Sequence, residues 1–185
     1  METRTNSIDR IINWKKTGYI LLKSLIFLVI FAILHYLYTL SPNPFFQAIS
    51  GKDESVFQHL KMGFFAYLFL IGIDYLLSRK RIDKSSSFIF SRLLATILIP
   101  WLIFIIWYLV PAFVGSELPL AYELVWALSV VFIIGIFASI IDNNTEKIMY
   151  SLSAKIIISV LIVISTFIFI WFSFKLPWID VFTLP

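Results

Sequence analysis

Two histidines and three further polar residues are the side chains of this 185-residue chain most suited to hold an ion or move a proton. His35 lies in an apolar stretch, whereas His59 lies in a polar run that also contains Glu54 and Ser55. Neutral imidazole can act as a base or as a metal ligand. Asp74 lies in a second apolar stretch, and a carboxylate inside a membrane is a functional candidate by default. We take these five residues as the candidates for a polar site.

Helical spacing argues against one metal site that contains both Glu54 and His59. Each helical residue advances by about 100°, so residues five apart point roughly 140° away from each other. A shared site requires Glu54 to lie in the helix cap and to bend back. His35 and His59 can converge if the first two helices pack antiparallel, which Gly63 and Ala66 would allow. We therefore expect no metal and no cofactor, and His35 and His59 are only weak metal candidates.

The polar run also has a purely structural interpretation. His35 can donate a hydrogen bond to a neighbouring tyrosine or to a backbone carbonyl. Asp53 can cap a helix, and Glu54 favours the positive end of its dipole. His59 and Lys61 would then lie at the level of the lipid headgroups.

Asp74 has a structural alternative as well. About 20 Å separates it from Lys61 along a helix, so it belongs near the other membrane face. Ser78, Arg79 and Arg81 are within reach along the chain and can pair with it. Lys23, near the start of the first apolar stretch, is expected to extend its ammonium group towards the interface.

Composition assigns these residues to a membrane protein. The chain is 60% hydrophobic and 14% charged, whereas a soluble domain is about 45–50% apolar and about 25% charged. This excludes a soluble globule, a disordered chain and a nucleic-acid-binding domain. Without cysteine, the chain has no disulfide and no thiolate site.

Long apolar runs with few charges predict the spans, because a spanning helix needs roughly 20 apolar residues. We predict an all-α fold: a polytopic bundle of five transmembrane helices that forms one domain over residues 1–185. Within it, Pro100 should kink the third span, Pro111 and Gly115 should end it, and Asp142 should begin a break after the fourth. The predicted spans are about 19–40, 60–78, 90–111, 121–141 and 155–174.

Basic residues predict the orientation. With the N-terminus inside, eleven Lys and Arg residues fall in inner segments and three in outer segments. Cytoplasmic segments of membrane proteins accumulate Lys and Arg. We therefore expect a multi-pass protein of the cell membrane with a cytoplasmic N-terminus and an extracytoplasmic C-terminus. Both histidines would then lie near the outer face.

The polar run also carries a family resemblance. The stretch from Asp53 to Lys61, with the preceding L-H-Y-L-Y and the later Asp74-Tyr75, resembles an uncharacterised family of small prokaryotic membrane proteins with the motif N-E-S-V-W-E-H-L-K. The likeness is close over about residues 30–80 and implies a five-span fold without an activity. Asp, Phe and Gln replace the family's Asn, Trp and Glu in the motif, and Trp178 replaces a histidine in the C-terminal tail.

Three functions are compatible with these features. The first is a non-enzymatic binding or accessory subunit, whose outer polar site contacts another membrane protein or a lipid headgroup. The second is a membrane-embedded lipid hydrolase or transferase that uses His35, Glu54 and His59. The third is a small transporter or channel that uses Asp74 and His59. Since no catalytic motif is present, we favour the first, with the lipid bilayer as surroundings and no nucleic acid as partner.

Overall fold

The computed structural model describes residues 14–80, 82, 84–115 and 119–179. Within these residues the chain forms six helices and no strand. The helices are α1 (Trp14–Leu40), α2 (Pro44–Ile49), α3 (Val56–Ser78), α4 (Ser85–Val114), α5 (Leu120–Thr145) and α6 (Leu152–Phe174).

All helices except the short α2 are long and apolar enough to cross a membrane, which confirms the predicted all-α bundle with five spans. Large apolar side chains such as Leu22, Trp101 and Phe167 are exposed on the outside of the bundle. These surfaces fit contact with lipid, because lipid tails are as apolar as the side chains themselves. The capable segments are Thr17–Leu40, Val56–Ser78, Ser85–Val114, Ala121–Thr145 and Leu152–Phe174.

Local sequence determines where several helices begin and end. The Asn43 side chain accepts a hydrogen bond from the Phe46 amide at 3.0 Å, and a proline follows at the first helical position of α2. Gly115 follows the last residue of α4 with φ +72°, which is the left-handed conformation common after helix C-termini. Gly115 therefore ends this helix as expected. The expected end at Pro111 is wrong, because proline is tolerated inside membrane helices.

The predicted break at Asp142 is also wrong. Helix α5 continues through Asp142 to Thr145, so the residues expected to form a turn lie on its last turn. The Thr145 hydroxyl donates to the Ile141 carbonyl at 2.8 Å, and the Asn143 amide donates to the Ser139 carbonyl at 2.7 Å. These polar side chains bond within their own helix, so they do not interrupt it.

The bundle has its core where α1, α3 and α5 meet. Helix α1 packs against α3 and α5, and α4 packs against α3, α5 and α6, while α2 lies against α6. Phe27, Tyr67, Val130 and Ile134 are fully buried at this centre. Gly135 permits close approach, since a Cβ there would lie 3.0 Å from the Phe27 ring and 3.1 Å from the Ser24 backbone.

Gly63 also permits close packing, but against a different helix from the one expected. A Cβ at Gly63 would lie 2.3 Å from Cδ1 of Ile103 and 3.0 Å from Cγ2 of Ile99, both on α4. Gly63 therefore brings α3 close to α4 and not to α1. Gly63 lies one turn after His59 on α3, so this contact helps to position His59.

Candidate functional site

His35, Glu54 and His59 come together at the C-terminal end of α1. The Nε2 atom of His35 lies 3.3 Å from Oε2 of Glu54, and the Nε2 atom of His59 lies 3.5 Å from the same oxygen. One ligand atom from each residue lies within 4.8 Å of those of the other two. We call these three residues the histidine–glutamate cluster.

The cluster forms because α3 begins at Val56, with Ser55 as its N-cap. Glu54 therefore lies outside the helix, and the 140° separation expected for a continuous helix does not apply. The expectation that Asp53 caps the helix is wrong. Instead its Oδ1 accepts the Ser55 amide at 3.0 Å, an arrangement that bends the chain before the helix.

The segment before α3 is also held against α1. The Gly51 amide donates to the Leu34 carbonyl at 3.2 Å, one residue before His35. The Ser50 hydroxyl donates to the Phe46 carbonyl at 2.6 Å and is fully buried. The Gly51 bond holds the loop against α1 and brings Glu54 within reach of His35, while the Ser50 bond closes the end of α2.

A hydrogen bond from its second ring nitrogen, Nδ1, sets the orientation of the His59 ring. Nδ1 lies 3.0 Å from the Ser55 carbonyl, and because a carbonyl only accepts, Nδ1 donates this bond. In the neutral ring, Nε2 then carries a lone pair and lies towards the Glu54 carboxylate. Two acceptors at this distance repel each other unless a proton or a metal ion lies between them.

Aromatic rings enclose one side of the cluster. The Phe31 ring is stacked on His59 with centroids 6.4 Å apart, and the Trp107 ring lies 5.3 Å from it. The His59 side chain is 13% exposed, whereas that of Glu54 is 66% exposed. The site is therefore walled by apolar rings on the protein side and open at Glu54.

Ser55 contributes to the cluster through its backbone and not through a side-chain ligand. Its carbonyl orients His59, while its hydroxyl is buried and has no hydrogen-bond partner. The expected hydrogen bond of His35 to a neighbouring tyrosine is replaced by a ring contact with Tyr36, at 5.0 Å between centroids.

Asp74 belongs to α3 and lies beside the N-terminal part of α1, apart from the histidine–glutamate cluster. Its Oδ2 accepts from the Lys23 ammonium at 2.8 Å and from Nε of Arg92 at 3.0 Å. Lys23 and Tyr67 both donate to Oδ2 of Asp142, the tyrosine at 2.5 Å. Arg92 also pairs with Glu146. We call Lys23, Asp74, Arg92, Asp142 and Glu146 the buried ion network.

Two expectations about this end of the bundle are corrected. Lys23 does not extend to the interface: it is 3% exposed, because two carboxylates bind its ammonium group between the helices. Asp74 does meet Ser78, at 3.4 Å, but its arginine partner is Arg92. The alternative partner Arg81 lies outside the described residues.

Sequence reasoning missed Lys23, Arg92, Tyr67 and Asp142 as parts of one site. The sequence did contain one indication, because each charged member falls near a predicted span end on the same side of the membrane. Which of these residues pair could not be predicted, since the pairing depends on how four helices are rotated about their axes.

Lys61 is buried apart from both the histidine–glutamate cluster and the buried ion network. We expected it at the level of the headgroups, but its side chain is enclosed by protein. Its ammonium group donates to the Gln47 carbonyl and to the Ser173 hydroxyl, both at 2.9 Å. The Gln47 side chain donates to the Ser173 carbonyl at 2.7 Å. Lys61 therefore joins α2, α3 and α6 through neutral acceptors.

Comparison with known proteins assigns the chain to a family but establishes no activity. Neither the curated proteins nor the solved structures gave a match to the chain. A family model matches residues 8–184, and it is described as a family of unknown function. The chain therefore belongs to that family, DUF6512.

Proposed function

We propose that this chain is a non-enzymatic binding protein of the cell membrane that holds a divalent transition-metal ion at its outer face. The observation that carries the proposal is the convergence of three acceptor groups, His35, Glu54 and His59, on one point. The lone pair on Nε2 of His59 and the Glu54 carboxylate repel each other unless a cation or a proton lies between them. The lipid bilayer surrounds the bundle, and a membrane partner or headgroup can meet the exposed Glu54.

The distances within the cluster are close to those of a tetrahedral zinc site. With bonds of about 2.05 Å, ligand atoms of a tetrahedral ion lie about 3.3 Å apart. Glu54 lies 3.3 Å from one imidazole and 3.5 Å from the other. The ligand atoms of the two histidines lie within 4.8 Å of each other, so they need to approach by at most about 1.5 Å.

The support around the ligands also resembles that of metal sites. A histidine that binds a metal usually donates its other ring N–H to a carbonyl or a carboxylate, which fixes the ring. The Nδ1 of His59 does this with the Ser55 carbonyl. Two imidazoles and one carboxylate suit zinc and other borderline first-row ions, and they leave a coordination position open.

Zinc titration of the purified protein in lipid nanodiscs tests the proposal. We expect one Zn²⁺ per chain, and a loss of affinity of about 100-fold or more on His59→Ala or His35→Ala, since a ligand matters at least as much as its outer-shell partners. Glu123→Gln is the matched control, because Glu123 is an exposed acid on another helix. Unchanged stoichiometric binding in the double histidine variant contradicts the proposal.

A lipid hydrolase or transferase is the second candidate, favoured by the open position and by the 66% exposure of Glu54. A metal ion or His59 would activate water there. Incubation with lipid vesicles followed by mass spectrometry tests this candidate. Conversion lost in His59→Ala but kept in Glu123→Gln supports it, and conversion that both variants retain rejects it. The contacts described for Asp74 give the transporter hypothesis no comparable support.

A further inference from the structure

The buried ion network contains more carboxylates than cations. Its contacts connect Lys23 and Arg92 with Asp74, Asp142 and Glu146. If every group is ionised, the network carries one excess negative charge. This matters because a net charge between membrane helices lacks the solvation that water would provide.

Four of these side chains are almost completely enclosed. Lys23, Asp74, Arg92 and Asp142 are each at most 3% exposed, while Glu146 is 31% exposed. Glu146 therefore connects the network with the surroundings at the end of α5. The excess charge must be balanced either there or inside the bundle.

Of the two enclosed aspartates, Asp142 is the one with a buried oxygen that has no hydrogen-bond partner. Both oxygens of Asp74 accept hydrogen bonds: Oδ1 from Tyr19 and Oδ2 from two cations. In Asp142, Oδ2 receives Lys23 and Tyr67, whereas Oδ1 is buried and has no partner. A buried carboxylate oxygen without a donor costs free energy.

A hydroxyl without a partner lies one turn earlier on α5. The Ser139 side chain is fully buried and its Oγ has no hydrogen-bond partner; it lies near the Tyr67 hydroxyl, but not in hydrogen-bond geometry. Residues three apart share a helix face, so Ser139 and Asp142 point to the same side of α5. A proton on Oδ1 of Asp142 would remove the charge from a buried acceptor that no donor stabilises.

We infer that Asp142 is a proton-binding site within the bundle and that its proton exchanges with the aqueous phase at the Glu146 end. The carboxylate takes up one H⁺ from that phase and becomes a neutral carboxylic acid. Two cations then face two carboxylates, and the network is neutral. The groups that face Asp142 are Lys23 from α1, Tyr67 and Asp74 from α3, and Arg92 from α4.

Infrared spectroscopy of the protein in nanodiscs at neutral pH tests this inference. A protonated carboxylic acid has a carbonyl stretch that a carboxylate lacks. We expect this band in the wild type, a shift of the band in D₂O, and its loss in Asp142→Asn. Glu123→Gln, which alters an exposed acid on the same helix, should keep it. An absent band, a band that does not shift, or one that survives in Asp142→Asn overturns the inference.

Glu146→Gln provides a second variant that keeps Asp142. Removing the Glu146 charge leaves two carboxylates against two cations, so Asp142 should lose its proton and the band should disappear. Glu146 is partly exposed, and this variant is therefore informative even if Asp142→Asn fails to fold. A band that persists in Glu146→Gln overturns the argument from charge balance. Neither result depends on zinc binding by the histidine–glutamate cluster.

Discussion

Replacing Gly63 by alanine should destabilise the bundle, whereas the same replacement at Gly72 on the same helix should not. A Cβ at Gly63 would lie 2.3 Å from Cδ1 of Ile103 and 3.0 Å from Cγ2 of Ile99, and both isoleucines are at most 2% exposed. A Cβ at Gly72 would meet nothing within 4 Å. The two sites therefore differ in packing but not in the type of substitution.

The difference between the two variants has a defined size. Both gain the same helix propensity, so this contribution cancels. What remains is the cost of an extra methyl group in a packed core, typically about 1–3 kcal/mol, or about 5–150-fold in the unfolding equilibrium. We expect Gly63→Ala to be less stable than Gly72→Ala by this amount.

Unfolding of the purified variants in lipid bicelles, followed by tryptophan fluorescence, measures the difference. Zinc titration adds a second readout. Ile103 lies one turn before Trp107, which packs on His59, so Gly63→Ala should also weaken zinc binding, while Gly72→Ala should not. Equal stabilities of the two variants would refute the close packing of α3 on α4 described above.

Three further predictions concern the charged residues. Lys23→Met should destabilise the bundle by about 3–5 kcal/mol, because it leaves the Asp74 carboxylate without one of its two cations; unfolding in bicelles measures the loss, and Asp74→Asn in the same chain should recover part of it. Lys61→Met should be nearly neutral in the same assay, because Lys61 donates only to neutral acceptors among the described residues; a loss as large as that of Lys23→Met would contradict this reasoning. Single-cysteine labelling at Lys80 should report a cytoplasmic position, and labelling from outside intact cells would reverse the predicted orientation.

The sequence anticipated much of the candidate site as a set of residues but not as a geometry. His35, Glu54 and His59 stood out by type, since histidines near a span end are rare. Whether they met depended on where α3 begins. A start one turn earlier would place Glu54 on the helix, pointing away from His59. The bond from the Ser55 amide to Asp53 and the bond from the Gly51 amide to Leu34 determine that start, and both depend on the loop conformation.

For the buried ion network, the sequence predicted even fewer of the members and none of the contacts between them. Asp74 was recognisable because a carboxylate interrupts an apolar run. Lys23 was expected to reach the membrane interface and Asp142 to begin a turn, because lysines and Asp-Asn pairs usually occupy those places. Their burial follows from mutual charge neutralisation between four helices, and no single segment contains that information.

The sequence by itself determined the number and the approximate positions of the membrane helices, because an apolar run of about 20 residues has few stable alternatives in a bilayer. Only the tertiary structure decided which polar side chains meet. Their partners lie up to 119 residues apart, and the rotation of each helix about its axis selects them. That rotation is set by side-chain packing, such as Gly63 against Ile103 and Gly135 against Phe27, and hydropathy does not record it.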